Sequence, residues 1–567
     1  MSVIPQNHSE VEHVKIASRY LRGTLADSLR NKLTGALNPD DTHLIKFHGS
    51  YQQTDRDLES ERKRQKLEPL YSFMMRVRVP GGVCSASQWA RMNALSDQYG
   101  NGTLKLTTRQ AFQLHGVLKR HLSATIQGFN EVLLDSIAGC GDVNRNVMCN
   151  TNPHESPVHE QVVAVAQALS RHLTPRTTAY REIWWEGQAE EVTEAVDDEP
   201  IYGHTYLPRK FKIALALPPY NDTDIYANDI GLIGIEENGQ LVGFNVAIGG
   251  GLGMTFGQPE TYPRLADVIG FAALDDVVDV CEKLVTIQRD WGNRENRKLS
   301  RFKYTIDKVG LPAVVAELHQ RLGYALGESR PFQFHSSTDA FGWASSPDGL
   351  LHLTLFVEGG RILDRPGYGL KAALAEIAEF HTGEFRLTGN QNLVLGKIDP
   401  THRARIQEVL ERHGAGPRAE QLTAVRRDAL ACVALNTCSQ AFAEAERYLP
   451  SLLDKLDAII RAHGLADDSI LIRMTGCPNG CARPYLGEIG LVGRAPGRYN
   501  LYLGASHQGD RLNKLYREML DENGILSELT PLLAAYAAER APGEAFGDFV
   551  VRTGVVKATV QGLDFHA

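Results

Sequence analysis

The chain has no apolar run that approaches the roughly 20 residues of a membrane-spanning helix. Its N-terminal segment also lacks a basic stretch followed by an apolar one, so the sequence predicts no secretory signal. Basic residues are in deficit, since 60 Lys and Arg stand against 68 Asp and Glu and the net charge is −8. That balance argues against a broad nucleic-acid surface. We therefore expect a cytoplasmic protein with neither a membrane nor a nucleic-acid partner.

Cysteine is scarce, with 8 residues in 567, and a disulfide framework is not expected in a large cytosolic chain. Half of the cysteines are scattered, and we interpret them as small buried hydrophobic residues. These are Cys84, Cys140, Cys149 and Cys281. The other half fall in the last quarter of the chain as two close pairs, which makes them candidates for one common site.

Two stretches of the chain have the same predicted strand–helix–strand pattern. The first reads YSFMMRVRVPGG, SQWARMNALSDQYG and LKLTTRQAFQLHGVL, and the second reads HLTLFVEGGRI, LKAALAEIAEFHTG and FRLTGNQNLVLGKI. In each, a strand ends at a Gly-Gly turn, a helix follows, and a strand pair closes the unit. The pattern favours an internal duplication over chance similarity between two αβ units.

The length predicts about three to four domains. We place an N-terminal arm at residues 1–65 and the duplicated halves at 66–138 and 341–420. A central domain is predicted at 139–340, and a C-terminal domain that contains the cysteine pairs at 421–567. Short strands alternate with helices throughout, so the predicted fold class is α+β with mixed sheets.

The two cysteine pairs have the spacing C-x5-C, at Cys432 and Cys438, and C-x3-C, at Cys477 and Cys481. The segment between the pairs predicts a helical hairpin that breaks at Pro450 and brings the pairs together. Four converging thiolates suit an iron–sulfur cluster, and Gly480 allows a tight turn around the sulfurs. Structural zinc fits the C-x5-C spacing poorly, although zinc and four unrelated thiols both stay open from spacing alone.

At these residues the chain resembles the sulfite/nitrite reductase family. The resemblance rests on C-x5-C followed by TGCPNGC and extends over nearly the whole chain, through FHGSYQQTDRD, TTRQAFQLHG, DVNRNVMC, TYLPRKFK, GFNVAIGGGLG, QRDWGNR and APGRYNL. It implies a three-domain, pseudo-two-fold-symmetric fold with ferredoxin-like halves. It also implies that Cys432, Cys438, Cys477 and Cys481 bind a [4Fe-4S] cluster, and that Cys481 bridges this cluster to the iron of a sirohaem.

The resemblance further implies an assimilatory activity, the six-electron reduction of sulfite to sulfide. It is strongest to the NADPH-dependent branch, in which a flavoprotein (α) subunit with FAD and FMN supplies the electrons, and the N-terminal arm is expected to help dock that subunit. No nucleotide motif competes, because Phe256 stands in GGGLGMTFG where GxGxxG requires a third glycine. A ferredoxin-dependent sulfite or nitrite reductase is the alternative, and a DNA-binding protein with a structural cluster is a more distant one.

By the family pattern, sulfite would be held by a quartet of cations: Arg76, Arg145, Lys210 and Lys212. Arginine suits fixed binding of an oxyanion, and a buried lysine can release a proton. Lys210 and Lys212 are two residues apart, so a strand would point both to one face.

Further polar residues would meet the sirohaem carboxylates. They are Lys105, Arg109, Gln113, His115, Arg209, Gln288, Asn293, Arg294 and Arg301. Taken singly, each also fits an ordinary surface charge or a core histidine. Lys105 and Arg301 depart from the family pattern, which has arginine and lysine there; the charge is kept, but the donor geometry changes.

Overall fold

The computed structural model describes residues 7–151, 156, 158–185, 198–416 and 419–566. The N-terminal part forms most of one antiparallel sheet. Its strands are β1 (Ser50–Thr54), β2 (Tyr71–Val77), β3 (Val83–Ser85), β4 (Leu104–Leu106) and β5 (Phe112–Val117). Its helices are α1 (Glu10–Ala17), α2 (Leu25–Arg30), α3 (Asp41–Leu44), α4 (Glu59–Arg64), α5 (Ala86–Gln98) and α6 (Leu122–Asn130). Strand β1 belongs to the segment predicted as an arm, and it pairs with β2, so this segment supplies an edge strand.

The central part combines a mixed sheet with helices. Its strands are β6 (Met148–Cys149), β7 (Ile213–Ala216), β8 (Ile230–Glu237), β9 (Gln240–Ile248) and β10 (Asp267–Ala273). Its helices are α7 (His159–His172), α8 (Ala179–Trp184), α9 (Val277–Trp291), α10 (Phe302–Val309) and α11 (Leu311–Leu322). No helix begins at the GGGLGMTFG segment, in agreement with its failure as a nucleotide motif.

A second antiparallel unit follows. Its strands are β11 (Gly342–Ser345), β12 (Leu351–Leu355), β13 (Arg361–Ile362), β14 (Asp364–Arg365), β15 (Tyr368–Gly369), β16 (Glu384–Leu387) and β17 (Leu393–Ile398). Its helices are α12 (Leu370–Ala378) and α13 (Arg403–Arg412). Both strand–helix–strand units predicted from the sequence are therefore present.

The C-terminal part has a second mixed sheet. Its strands are β18 (Leu430–Ala431), β19 (Ile472–Thr475), β20 (Ile489–Ala495), β21 (Arg498–Leu503) and β22 (Lys514–Leu520). Its helices are α14 (Ala424–Arg427), α15 (Leu449–Ala462), α16 (Glu522–Glu539) and α17 (Phe546–Arg552). It has an apolar core of its own, whereas one continuous core joins the two antiparallel units with the central part.

The two antiparallel units exchange a strand. One sheet has the order β1-β2-β5-β4-β13 and the other β11-β12-β17-β16-β3, so each unit gives its short third strand to the other. The exchange brings the backbones close at two equivalent glycines. A Cβ on Gly82 would lie 2.4 Å from the carbonyl oxygen of Leu387, and one on Gly360 would lie 2.4 Å from that of Leu106. The predicted duplication is thus an intertwined pair of halves related by a pseudo-two-fold axis.

The central and C-terminal sheets are a second duplicated pair, which the sequence patterns did not reveal. In each, three strands run parallel and two antiparallel strands follow, in the orders β6-β7-β8-β9-β10 and β18-β19-β20-β21-β22. In each, a short 3₁₀ turn before the third strand follows a residue with left-handed backbone, Asp224 (φ 47°) or Arg483 (φ 56°). The side chains of Asp224 and Arg483 form a buried ion pair that joins the two domains.

The predicted helical hairpin between the cysteine pairs is wrong. Only α15 is helical there, and Pro450 lies in its first turn, where proline is tolerated because that N–H has no partner in the helix. The backbone amides of the preceding segment donate instead to carbonyls of the two cysteine loops. Phe442 N–H donates to the Gly476 carbonyl (2.8 Å), and Glu446 N–H donates to the Cys432 carbonyl (3.0 Å). Amides engaged in this way cannot also close helical turns.

Candidate active site

The two cysteine pairs meet at one edge of the C-terminal sheet. Cys432 directly follows β18, and Cys477 lies just beyond β19. These strands are parallel neighbours, so their carboxyl ends lie side by side. The sheet register, and not a helical hairpin, therefore brings the four thiols together.

The four thiols are close enough to affect one another's charge. Burial raises the pKa of Cys432 well above its usual range, and nearby Cys481 raises it further. Burial and Cys481 likewise raise the pKa of Cys438 and that of Cys477, the latter to about 12. Four such thiols give up their protons when metal cations bind them.

Backbone amides point at these sulfurs. Gly476 N–H donates to Cys432 Sγ over 3.4 Å, and amides of Gln440 and Asn479 donate to Cys438 and Cys477. Such bonds stabilise bound thiolates and tune a cluster's potential. Across residues 7–151, 156, 158–185, 198–416 and 419–566, no three His, Cys, Asp or Glu side chains are grouped tightly enough to bind a single metal ion. Four thiols that accept from backbone amides have the donor chemistry of an iron–sulfur cluster.

A loop of the first half packs directly on the second cysteine pair. Thr108, in the TTRQ motif, donates its hydroxyl to the Cys481 carbonyl over 2.8 Å, and Arg483 donates back to the Thr108 carbonyl over 3.1 Å. Of the four cysteines of the two pairs, Cys481 is exposed, and the other three are buried or partly buried. Cys481 lies within electrostatic range of two of the cations described next, Arg76 and Lys210.

The structure brings the predicted cationic quartet together from three separate segments. Arg76 lies on β2, Arg145 precedes β6, and Lys210 and Lys212 lie just before β7. Burial and the neighbouring Arg209 and Arg301 lower the pKa of Lys210 to about 7. Burial and Lys210 lower the pKa of Lys212 well below its usual value. Crowded cations of this kind favour an anion between them.

Three arginines beside the quartet have hydrogen-bond donors without a partner or positive charge without full compensation. Arg109 donates to the Ile213 carbonyl (2.6 Å) and to Asn228, and Arg301 pairs with Asp229 (2.8 Å). Both nevertheless have a buried Nε with no hydrogen-bond partner. Burial and Arg297 lower the pKa of Arg209 to about 10, because Asp142 compensates the two cations only in part. Unsatisfied donors and excess positive charge fit a ligand that has several carboxylates.

The other predicted sirohaem contacts have partners within the protein. Gln113 accepts from Arg76 (2.9 Å) and bonds His115, while Lys105 pairs with Glu446 (2.7 Å). The remaining three are engaged elsewhere: Gln288 with Ser300 and Thr305, Asn293 with the backbone of Glu295 and Asn296, and Arg294 with Glu12 and Tyr206. Their roles toward a cofactor stay predictions.

Several residues at this site escaped the sequence analysis. Cys140, interpreted only as a buried hydrophobic residue, accepts from Arg76 Nη1 over 3.0 Å. Tyr51 is close enough to Arg76 and Arg145 to interact with them electrostatically, and burial raises the pKa of Tyr51. Arg361 and Glu446 form a buried ion pair beside His115. Cys84, Cys149 and Cys281 are buried, as predicted.

Fold and site together define an internally duplicated α+β protein in which four clustered thiols face buried cations. Two family models match the chain. The nitrite/sulfite reductase ferredoxin-like half domain covers residues 65–132 and 345–413, and the nitrite and sulphite reductase 4Fe-4S domain covers residues 164–326. The latter segment lies in the central domain, whose sheet topology the cysteine-bearing domain repeats.

Full-length relatives agree with these matches. The chain is 56% identical over 560 residues to the sulfite reductase [NADPH] hemoprotein beta-component of Geobacillus kaustophilus, with 98% of each chain covered. It is 54% identical over 565 residues to that of Staphylococcus epidermidis, with 100% of this chain and 98% of the relative covered. The solved structure of the Mycobacterium tuberculosis NirA protein matches the fold with a TM-score of 0.77 at 20% identity, over 97% of each chain. The chain belongs to the nitrite and sulfite reductase family.

Proposed function

We propose that this chain is the haemoprotein component of an NADPH-dependent assimilatory sulfite reductase, which reduces sulfite to sulfide in the cytoplasm. The observation that carries the proposal is that Cys481 belongs both to the four-thiol set and to the surroundings of Arg76 and Lys210. A cluster on those thiols and a sirohaem beside Cys481 would pass electrons one at a time from the donor protein to sulfite. Full-length relatives at 54–56% identity whose names specify this activity support it.

Two cations of the quartet bind sulfite, and the other two donate protons. Arg76 is fixed by Gln113 and Cys140, and Arg145 by the carbonyls of Gly139 and Gly141, so both present a permanent charge to the sulfite oxygens. Lys210 and Lys212 have lowered pKa values and can donate protons to oxygens that leave as water. Arg109, Arg209 and Arg301 are the candidates to hold the sirohaem carboxylates.

Electrons have to come from a second protein. The relatives' names specify NADPH and a beta-component, which imply an alpha component that oxidises NADPH. We propose that this partner is a flavoprotein with FAD and FMN. Reduced ferredoxin is the competing donor, and comparing turnover with the two donors decides between them.

Holoprotein matured with sirohaem tests the proposal. We expect sirohaem absorption bands, iron and acid-labile sulfide in the proportions of one sirohaem and one [4Fe-4S] cluster, and sulfide production from sulfite with reduced methyl viologen. Lys212→Ala should keep the absorption bands and lose most of the turnover. A colourless protein that binds only zinc would contradict the proposal.

A further inference from the structure

Two aromatic rings lie exposed on the outer side of the cysteine loops. Phe256 is 46% exposed and Phe442 is 36% exposed, and their ring centroids are 4.8 Å apart. The guanidinium of Arg494 lies 4.6 Å from the centroid of the Phe256 ring. We call Phe256, Phe442 and Arg494 the aromatic patch. Aromatic residues, phenylalanine included, and arginine are enriched at protein–protein interfaces.

The aromatic patch is attached to the backbone that bears the thiols. Phe442 N–H donates to the carbonyl of Gly476, the residue before Cys477. Two residues before Phe256, Met254 N–H donates over 3.0 Å to the carbonyl of Pro478, the residue after Cys477. The patch is therefore separated from the Cys477 loop only by hydrogen-bonded backbone. An electron delivered there has a short path to the thiols, and electron transfer slows steeply with distance.

This surface has positive charge without a matching carboxylate. In the part of the chain that the structure describes, Arg494 has no ion-pair partner, and its buried Nε has no hydrogen-bond acceptor. Arg56 lies next to the patch, and its guanidinium donates to the carbonyls of Ala441 (2.6 Å) and Cys438 (3.3 Å). Asp57, next to Arg56 in the chain, and Glu444, two residues after Phe442, are both paired with Arg447. Local cations on a chain of net charge −8 favour an acidic partner at this face.

We propose that the aromatic patch is the docking surface for an electron-donor protein that presents carboxylates around its redox cofactor. This rests on the proposed function, in which the donor is the flavoprotein component. The reduced flavin of the donor would lose one electron, and a cluster bound by the four cysteines would gain it. No bond is made or broken at the interface, and no proton crosses it.

Charge reversal of Arg494 in the holoprotein, with the purified flavoprotein component as donor, tests this surface. We expect Arg494→Glu to lower NADPH-driven sulfite reduction about tenfold or more and to raise the KM for the flavoprotein. Turnover with reduced methyl viologen, a small donor that needs no docking surface, should stay within about twofold of wild type. Arg498→Glu is the matched control, because Arg498 is exposed on the same hairpin but pairs with Asp521.

Two further variants test the same surface. The first changes no charge, and the second is followed by cross-linking and not by turnover. Phe256→Ser should weaken the reaction with the flavoprotein in the same selective way. In the Arg494→Lys variant, a carbodiimide should cross-link position 494 to a donor carboxylate, as peptide mass spectrometry would detect.

Each failure has its own meaning. Wild-type-like kinetics with the flavoprotein in Arg494→Glu and Phe256→Ser, or cross-links only elsewhere, would overturn the docking site. A loss confined to reduced ferredoxin would overturn the choice of donor. An absence of methyl-viologen-driven sulfide production in wild type would instead overturn the proposed function.

Discussion

Cys481 and Asp222 occupy equivalent positions in the two duplicated domains, each two residues before the left-handed residue that precedes a 3₁₀ turn. In the same way Cys432 directly follows β18, and Asn150 directly follows β6. The central domain thus has a carboxyl group and an amide where the C-terminal domain has two thiols. Soft thiolates select iron–sulfur clusters, whereas this pair does not. The ligand set is therefore decided by single side chains on a shared scaffold.

Asp222 should make the stability of the apoprotein depend on pH. Burial, together with Asp339, raises the pKa of Asp222 to about 8, and its carboxyl group accepts from the Thr151 amide over 3.1 Å. Between the ordinary carboxyl pKa and about 8, the folded state binds a proton that the unfolded state releases, so stability falls as the pH rises. Thermal unfolding of Asp222→Asn should show a smaller decrease in Tm from pH 6 to pH 9 than wild type. Equal slopes would contradict this assignment.

Glu446 should be the most costly carboxylate to neutralise near the thiols. It pairs with Lys105 (2.7 Å) and Arg361 (2.7 Å), and both cations are largely buried. Glu446→Gln should destabilise the protein by about 3 kcal/mol, because two buried cations lose their counter-charge. Glu444→Gln, in the more exposed pair with Arg447, should cost less than about 1 kcal/mol. Similar Tm values for the two variants would refute the difference.

At the scale of elements, the exchanged strands explain why neither half completes its sheet without the other. Short β3 and β13 each complete the sheet of the other half. The sequence predicted the strands, helices and Gly-Gly turns of both halves, because those signals are local. It could not predict the exchange, since nothing in a strand of two or three residues specifies which sheet it joins.

Gly360 tests the exchange directly. Its φ is +67°, and an added Cβ would lie 2.4 Å from the Leu106 carbonyl oxygen in the other half. Gly360→Ala should therefore cost about 2–4 kcal/mol, from backbone strain and overpacking combined. Gly367 is the matched control, with φ +74° and nothing within 4 Å of an added Cβ, and Gly367→Ala should cost only about 1 kcal/mol. Equal losses on thermal unfolding would show that the contact does not matter.

At the scale of the whole molecule, two duplicated pairs of domains meet around one site. The cationic quartet comes from the first half and the central domain, and the thiols come from the C-terminal domain. Cys477 and Cys481 lie within five consecutive residues, so this local pattern allowed the thiols to be predicted from the sequence alone. Arg76, Arg145 and Lys210 needed the family resemblance, because no local pattern says that three distant segments converge. Cys140 and Glu446 had no signal, and Tyr51 lies in the FHGSYQQTDRD motif but was not singled out as a site residue.

The ion pair between Asp224 and Arg483 should couple the two larger domains. Asp224 also pairs with Arg473 over 2.6 Å, and all three side chains are buried. Asp224→Asn should cost about 3–5 kcal/mol and separate the melting of the C-terminal domain from the rest in calorimetry. Asp454→Asn, in an exposed pair with Arg426, should cost less than about 1 kcal/mol and leave the melting profile unchanged. A single unchanged transition in Asp224→Asn would contradict the coupling.

The proposed reaction depends above all on Cys481 being shared between a cluster and a sirohaem. Mössbauer spectroscopy of iron-isotope-enriched holoprotein measures this directly. We expect the sirohaem iron to be magnetically coupled to the cluster irons in wild type and uncoupled in Cys481→Ser. Independent sirohaem and cluster signals in the wild-type protein would contradict the shared thiolate.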